Sequence, residues 1–238
     1  MLLQPFRQGT TQYRSLVWPG VTVDLINNEY LLLQSPVPLT TFSSAIWGGG
    51  MERGTHFVNW RVPLSYRCED PVQLMADQIK KWGYPLEKTI GFQTAAKVTH
   101  GAIAEEKGDQ YRLFCCVTAG TGNSSRAGKK RETFSAYECH TINIFLFIDG
   151  HLTPAAMVNG IITATEAKVA ALQDLGIKDE EGDLATGTTT DAIVLGVSQN
   201  QAYPRPHLFA GAATTIGNGI GRLVYETVYT AVSTQGEE

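Results

Sequence analysis

The sequence predicts an α/β fold, a single layered domain over residues 1–238 with a mixed β-sheet covered by helices. Residues 141–148 form a continuous apolar run of strand length, suited to a central strand buried on both faces. A capped helical segment and a further strand follow it, giving a strand–helix–strand order. The first third of the chain instead reads as short strands separated by turn signals, the pattern of antiparallel hairpins. With 238 residues, 43% of them apolar, the chain can bury one substantial core.

In chain order, residues 21–25 and 29–34 are strands on either side of a turn at Asn27 and Asn28, and residues 55–62 alternate with period two. Asp70 followed by Pro71 marks a helix start, and Val72, Met75, Ile79 and Trp82 recur at helical spacing until Gly83. Residues 97–104 and 111–118 make a hairpin around the polar stretch 105–110. Adjacent Cys115 and Cys116 then point to opposite sides of a strand, and with Cys68 and Cys139 they show neither CxxC spacing nor disulfide density. They read as structural thiols. Residues 119–133, rich in Gly, Ser and basic residues, form a surface loop of a length that is uncommon unless it binds something or moves. After the central strand, Thr153 caps a helix over 154–175 that Gly176 ends. An acidic turn at 178–183 leads to a strand at 190–197, and a helix over 212–232 closes the pattern.

The net charge is only −4 and the lysines and arginines are dispersed, so no electrostatic footprint for nucleic acid or an anionic membrane exists. Residues 1–10 hold two leucines and then turn polar, and no run approaches the ~20 apolar residues of a membrane helix. The expectation is a cytoplasmic protein without membrane insertion that handles a small molecule.

Several stretches look chemical. The loop GNSSRAGKK at 122–130 superficially resembles a phosphate loop, but Asn123 stands where its first glycine belongs and Lys130 where Ser or Thr should follow. Glu166 lies four residues after Ile162 and three before Val169, at the edge of an apolar stripe, where partial desolvation raises a carboxyl toward general-base use. A solvated helix residue is the other reading of that spacing. Lys168, two residues on, points elsewhere. ATGTTTDA at 185–192 offers hydroxyls and backbone N–H groups near Gly187 for an oxyanion, or simply a Thr-rich strand start with Asp191 as a turn cap. Ser43 and Ser44 precede the glycines 48–50 without a GxSxG elbow. The scattered histidines give no metal-ligand spacing, so no metal is expected.

Taken in order, these stretches resemble the adenosylcobinamide amidohydrolase family. The resemblance rests on Phe42, Ser43, Ser44 and Ala45 with Gly49 and Gly50; on Asn59; on Thr118, Ala119 and Gly120 with Asn123, Arg126, Ala127 and Gly128; on Thr141, Ile142 and Asn143; and on TATEAK at 163–168 with residues 185–191. One departure is Gly48, where the family usually has asparagine. The resemblance implies hydrolysis of the amide joining aminopropanol to a propionate side chain of the corrin ring, giving adenosylcobyric acid, with the corrinoid as substrate and no cofactor. It also implies a functional link to a corrinoid uptake transporter and leaves a homo-oligomer open. Asp149, Gly150 and His151 begin like a cobalt-binding histidine motif, but Pro154 replaces its glycine, so no histidine coordination is expected.

On this reading Glu166 is the general base; Asn123, Asn143 and the Gly187 and Thr188 backbone contact the carbonyl and oxyanion; and Lys168 or Asp191 supplies charge. Ser43, Ser44, Gly49, Gly50, Asn59, Arg126 and Thr165 are expected to bind substrate, with Trp47, Phe57 and Trp60 as an apolar wall or as core. Two rivals stand beside it: a self-processed amidohydrolase whose nucleophile is Thr188, and a non-catalytic corrinoid carrier or sensor.

Overall fold

The computed structural model describes residues 2–130 and 140–237. Cys139 and residues 131–133 of the expected loop lie outside the described residues. The strands are β1 (Leu2–Leu3), β2 (Gln12–Arg14), β3 (Thr22–Ile26), β4 (Tyr30–Ser43), β5 (Gly50–Arg61), β6 (Thr89–Thr94), β7 (Ala102–Lys107), β8 (Tyr111–Ala119), β9 (Ser124–Ser125), β10 (Ile142–Gly150), β11 (Gly187–Thr188) and β12 (Ala192–Val197). The helices are α1 (Pro71–Lys81), α2 (Pro154–Asp174) and α3 (Thr215–Thr234). The fold is α/β with a mixed sheet, as the sequence predicts.

The apolar run is the central strand. Residues of β10 pair antiparallel with β8 and parallel with β12, and β12 pairs antiparallel with the end of β4. Alternate side chains of β10 go to opposite faces. Ile144, Leu146 and Ile148 join the core beneath α2 and α3, whereas Phe145 and Phe147 face a second layer of the same sheet. That layer exists because β4 belongs to both halves. Its start pairs with β3, its end with β12, and β5 runs beside both parts. Between them Pro36 and Pro38 remove two N–H donors, the register shifts between Gln34 and Leu39, and the sheet curls over.

The two halves meet through aromatic rings, Phe57 on Phe147 at 4.5 Å and Phe92 on Phe145 at 4.9 Å between centroids. Helix α1 covers the outer face of β4 and β5 with Met75 and Ile79 against Tyr30, Leu32 and Val58. The order of layers is therefore helices, sheet, sheet, helix.

The helix starts follow the expected capping chemistry: Asp70 accepts from Gln73 N at 2.9 Å and Thr153 from Ala156 N at 3.2 Å. Cys115 and Cys116 do face opposite layers, and burial pushes the Cys115 thiol up to about 12 and Cys116 upward as well. Such thiols stay protonated and inert. The hairpin 105–110 differs from expectation, because β7 continues through Glu105. That carboxylate is buried and accepts from Tyr13 Oη at 2.9 Å, Ser15 Oγ at 2.5 Å and Leu16 N at 2.8 Å, tying the N-terminal segment to the sheet. Among the described residues no helix is long and apolar enough to cross a membrane.

Two histidines carry a pH consequence. Burial, followed by the nearby Lys88 charge, lowers His56; burial, followed by Arg7 and Lys97, lowers His100. The folded protein holds both imidazoles neutral while the unfolded chain protonates them near 6.5, so unfolding takes up protons below that pH and stability falls as pH falls. Thermal unfolding followed between pH 7.5 and about 5 should show this loss, and His56→Gln should shrink it. An unchanged pH slope in the variant would contradict the assignment.

Candidate active site

Where the apolar run of β10 begins, its inward face turns polar. Asn143 is 1% exposed, and its Nδ2 donates to Asn59 Oδ1 at 2.8 Å and to Gln93 O at 2.9 Å, which uses both of its N–H groups. Fully buried Asn59 donates in turn to Thr118 Oγ1 at 2.7 Å. Thr141 Oγ1 donates to Thr190 O at 2.8 Å. These bonds tie the ends of β5, β6, β8 and β10 to the turn that precedes β12.

That turn holds the charged cluster. Thr188 Oγ1 donates to Asp191 Oδ1 at 2.5 Å, Thr188 N to Oδ2 at 3.1 Å and Ile142 N to Oδ1 at 3.2 Å. The Lys168 ammonium, reaching in from α2, pairs with Asp191 Oδ2. The Lys168 and Asp191 side chains are 11% and 17% exposed, so the pair is poorly screened but still reachable. Gly187 makes the cluster possible: a Cβ there would stand 2.3 Å from Asp191 Oδ2 and 2.7 Å from Lys168 Nζ. Its strand β11 is pinned by antiparallel pairing with β9, and Asn123 Nδ2 donates to Thr189 Oγ1 at 2.7 Å.

The cluster forms the floor of a cleft of about 840 Å³ whose lining also includes Arg126, Lys129 and Thr165. Arg126 Nη1 donates to Leu184 O at 2.7 Å, and Lys129 pairs with Glu181 at 2.8 Å and with Asp183. Lys168, Thr188, Asp191, Gly187, Arg126 and Thr165 are thus brought together. A second pocket of about 480 Å³ is lined by Thr190, which lies in sequence between Thr189 and Asp191 of the cleft, and by Ser44 and Asn143.

Ser43 and Ser44 extend the pairing of β4 with β12: Ser43 Oγ donates to Ile193 O at 3.1 Å, and Ser44 Oγ accepts from Ile193 N at 3.0 Å. The glycines after them make a tight loop into β5. Gly48 has φ +67° and a Cβ on Gly49 would lie 2.5 Å from Ala45 O. Asparagine is the side-chain-bearing residue that best tolerates the conformation of Gly48, so the family departure there keeps the backbone requirement.

Three expectations change, and one open alternative is decided. Glu166 is exposed and faces the groove between α2 and α3 beside Asn218, Arg222 and Tyr225, so the desolvation that would make it a base is absent. The oxyanion contacts expected of Asn143 and of the Thr188 N–H are engaged within the protein, and Asn123 is buried behind Thr189. Asn59 reaches its neighbours rather than a ligand. The aromatic wall is core: Phe57 is fully buried, Trp47 Nε1 donates to Leu86 O at 3.1 Å, and Trp60 meets Trp82 edge-on. His151 follows the far end of β10, roughly 25 Å from the cluster by strand rise. The residues missed are Gln93, Thr94 and Thr190, which line the second pocket with Thr141. Thr190 sits inside a stretch already singled out, but Gln93 and Thr94 belong to β6, which is not among the strands expected from the sequence.

An adenosylcobinamide amidohydrolase of Methanosarcina mazei is 28% identical over 199 residues, covering 79% of this chain and 88% of its own length. An uncharacterized protein of Methanocaldococcus jannaschii is 31% identical over 178 residues, covering 66% and 68%. Among solved structures, a Burkholderia beta-aminopeptidase aligns with TM-score 0.42 at 11% identity over 86% of this chain and 77% of its own. An L-aminopeptidase D-Ala-esterase/amidase of Ochrobactrum anthropi aligns with TM-score 0.38 at 11% identity over 93% and 81%. The sequence model described as adenosylcobinamide amidohydrolase matches residues 20–238, and the chain belongs to that family.

Proposed function

We propose that the chain hydrolyses the aminopropanol amide of adenosylcobinamide at Thr188, Asp191 and Lys168. The observation that carries this is the 2.5 Å hydrogen bond from the Thr188 hydroxyl to a carboxylate that an ammonium also holds. A hydroxyl is a weak nucleophile until a neighbouring base takes its proton. Here Thr188 Oγ1 attacks the amide carbon while its proton moves to Asp191. Lys168 offsets the negative charge that develops, and the proton then passes to the departing nitrogen as the C–N bond breaks. Water hydrolyses the resulting ester, releasing adenosylcobyric acid and restoring Thr188. Asn59, Asn123 and Asn143 position the strand ends and the turn, and Arg126 and Thr165 meet the substrate at the cleft rim.

Within this reading the enzyme works in the cytoplasm on corrinoid delivered by an uptake transporter, and it needs no cofactor of its own. A carrier would bind the corrinoid and leave it whole. Incubation with adenosylcobinamide followed by assay of free aminopropanol separates the two, and release of the amino alcohol is expected.

Thr188→Val and Asp191→Asn should each lower turnover about 10²- to 10⁴-fold, Thr188→Val with little change in unfolding temperature and Asp191→Asn with a lower one, because it leaves the Lys168 ammonium without its partner. Turnover within a few-fold of the parent in Thr188→Val would remove Thr188 as nucleophile. The chain acts uncleaved, so an intact mass split between Gly187 and Thr188 would favour the self-processed rival. Gly187→Ala should cost at least about tenfold in kcat, because its methyl group drives Lys168 and Asp191 apart. Glu166→Gln, by contrast, should turn over within a few-fold of the parent; a large loss there would restore Glu166 to the chemistry.

A further inference from the structure

We infer that the pocket of about 480 Å³ beside the cluster receives the adenosyl group of the substrate. This rests on the functional reading above and adds to it the place of a group remote from the reacting amide.

The pocket is the open end of the seam between the two sheet layers, and Phe92, packed on Phe145, forms part of both. Its lining divides into an apolar wall, with Ile46, Val62, Phe92 and Ala192, and a polar edge, with Ser44, Gln93, Thr94 and Asn143. Among the described residues no charged side chain lines it. The neighbouring cleft instead holds Arg126, Lys129, Lys168 and Asp191. An ionic group would lose its hydration in the uncharged pocket without gaining a partner, whereas a flat neutral heterocycle suits it.

The polar edge is biased toward donation. Ser44 Oγ already accepts from Ile193 N at 3.0 Å and Thr94 Oγ1 from Ala96 N at 3.0 Å, which leaves both hydroxyl protons for a ligand. Gln93 Nε2 is buried with no hydrogen-bond partner among the described residues, an arrangement that costs free energy unless a ligand or water completes it. Adenine ring nitrogens and ribose oxygens are acceptors, and the exocyclic amine can donate to Asn143 Oδ1, whose contact from Thr141 Oγ1 is long at 3.4 Å. Thr190 lines the pocket while its chain neighbours Thr189 and Asp191 line the cleft, so the two sites adjoin and one corrinoid can present its amide to the cluster and its adenosyl group to the pocket.

The test uses the full chain and three probes: adenosylcobinamide, cyanocobinamide, which lacks the nucleoside, and free 5′-deoxyadenosine. The expected results are a kcat/KM at least about tenfold higher for adenosylcobinamide than for cyanocobinamide, and competitive inhibition by 5′-deoxyadenosine. Gln93→Leu, and separately Ala192→Leu, which fills the pocket, should cut that preference and weaken 5′-deoxyadenosine binding in equilibrium dialysis by about fivefold or more. Equal rates on the two corrinoids, or no binding of 5′-deoxyadenosine by the parent protein, would overturn the assignment while leaving the amidohydrolase reading intact. If neither corrinoid were hydrolysed, the functional reading would fall and dialysis alone would decide the pocket.

Discussion

A strand that is apolar at nearly every position has to be covered on both faces, and this constraint on β10 organises the molecule. Helices α2 and α3 cover one face. Among the described residues no helix covers the other, and the sheet covers it itself by bending at Pro36 and Pro38 and laying its second half across the first. The inner surfaces are lined by phenylalanines, whose rings fill the space between layers that β-branched residues would leave partly empty. Helix α1 is then needed on the outside of the second half, because that half has an apolar outer face of its own.

The same curl decides where function can sit. A seam between two layers must end, and at its end the backbone groups of several strands lose their neighbours. Asn143 and Thr141 satisfy two of those groups, the carbonyls of Gln93 and Thr190, and Asn59 and Thr118 complete the network with uncharged side chains, which can be buried completely if every bond is made. Deleting one member would strand a partner, at a cost of about 1–3 kcal/mol for each orphaned group. The charged residues stand one turn further out. Asp191 there has four donors on its two oxygens, two of them backbone N–H groups, so its position is fixed by the strand ends rather than by its own rotamer.

What the sequence made legible was local chemistry. The caps at Asp70 and Thr153, the central strand and the opposed thiols all follow from rules that span a few residues. The second half of β4, and β6, were not legible: two prolines read as the end of a strand, and only the curl explains why the strand resumes. The site shows the same division. The motif TATEAK does supply Lys168 to the charged cluster, but the apolar stripe chosen from spacing was the wrong face. Ile162 is 49% exposed, while the buried surface of α2 holds Ala156, Gly160, Thr163, Ala164 and Ala171 together with Met157, Lys168 and Leu172. Small residues let α2 approach α3 and β12 closely, with Gly160 against Leu195 and Ile220. Hydrophobicity alone therefore pointed at Glu166, and close packing points at Lys168.

Water in the open cleft still reaches the exposed part of the Lys168–Asp191 pair at its floor and screens that part of the interaction. A corrinoid is large and mostly neutral, and seating it across the cleft and the adjoining uncharged pocket would displace that water. Lys168, Asp191 and the Thr188 hydroxyl would then interact in a medium of much lower polarity, without having to move, because Gly187 and the β9 pairing already hold them in contact. Under the proposed function, contacts to parts of the substrate far from the amide would thereby strengthen the groups proposed to act on it, and binding energy gathered at the sheet seam would be expressed in the rate of bond cleavage.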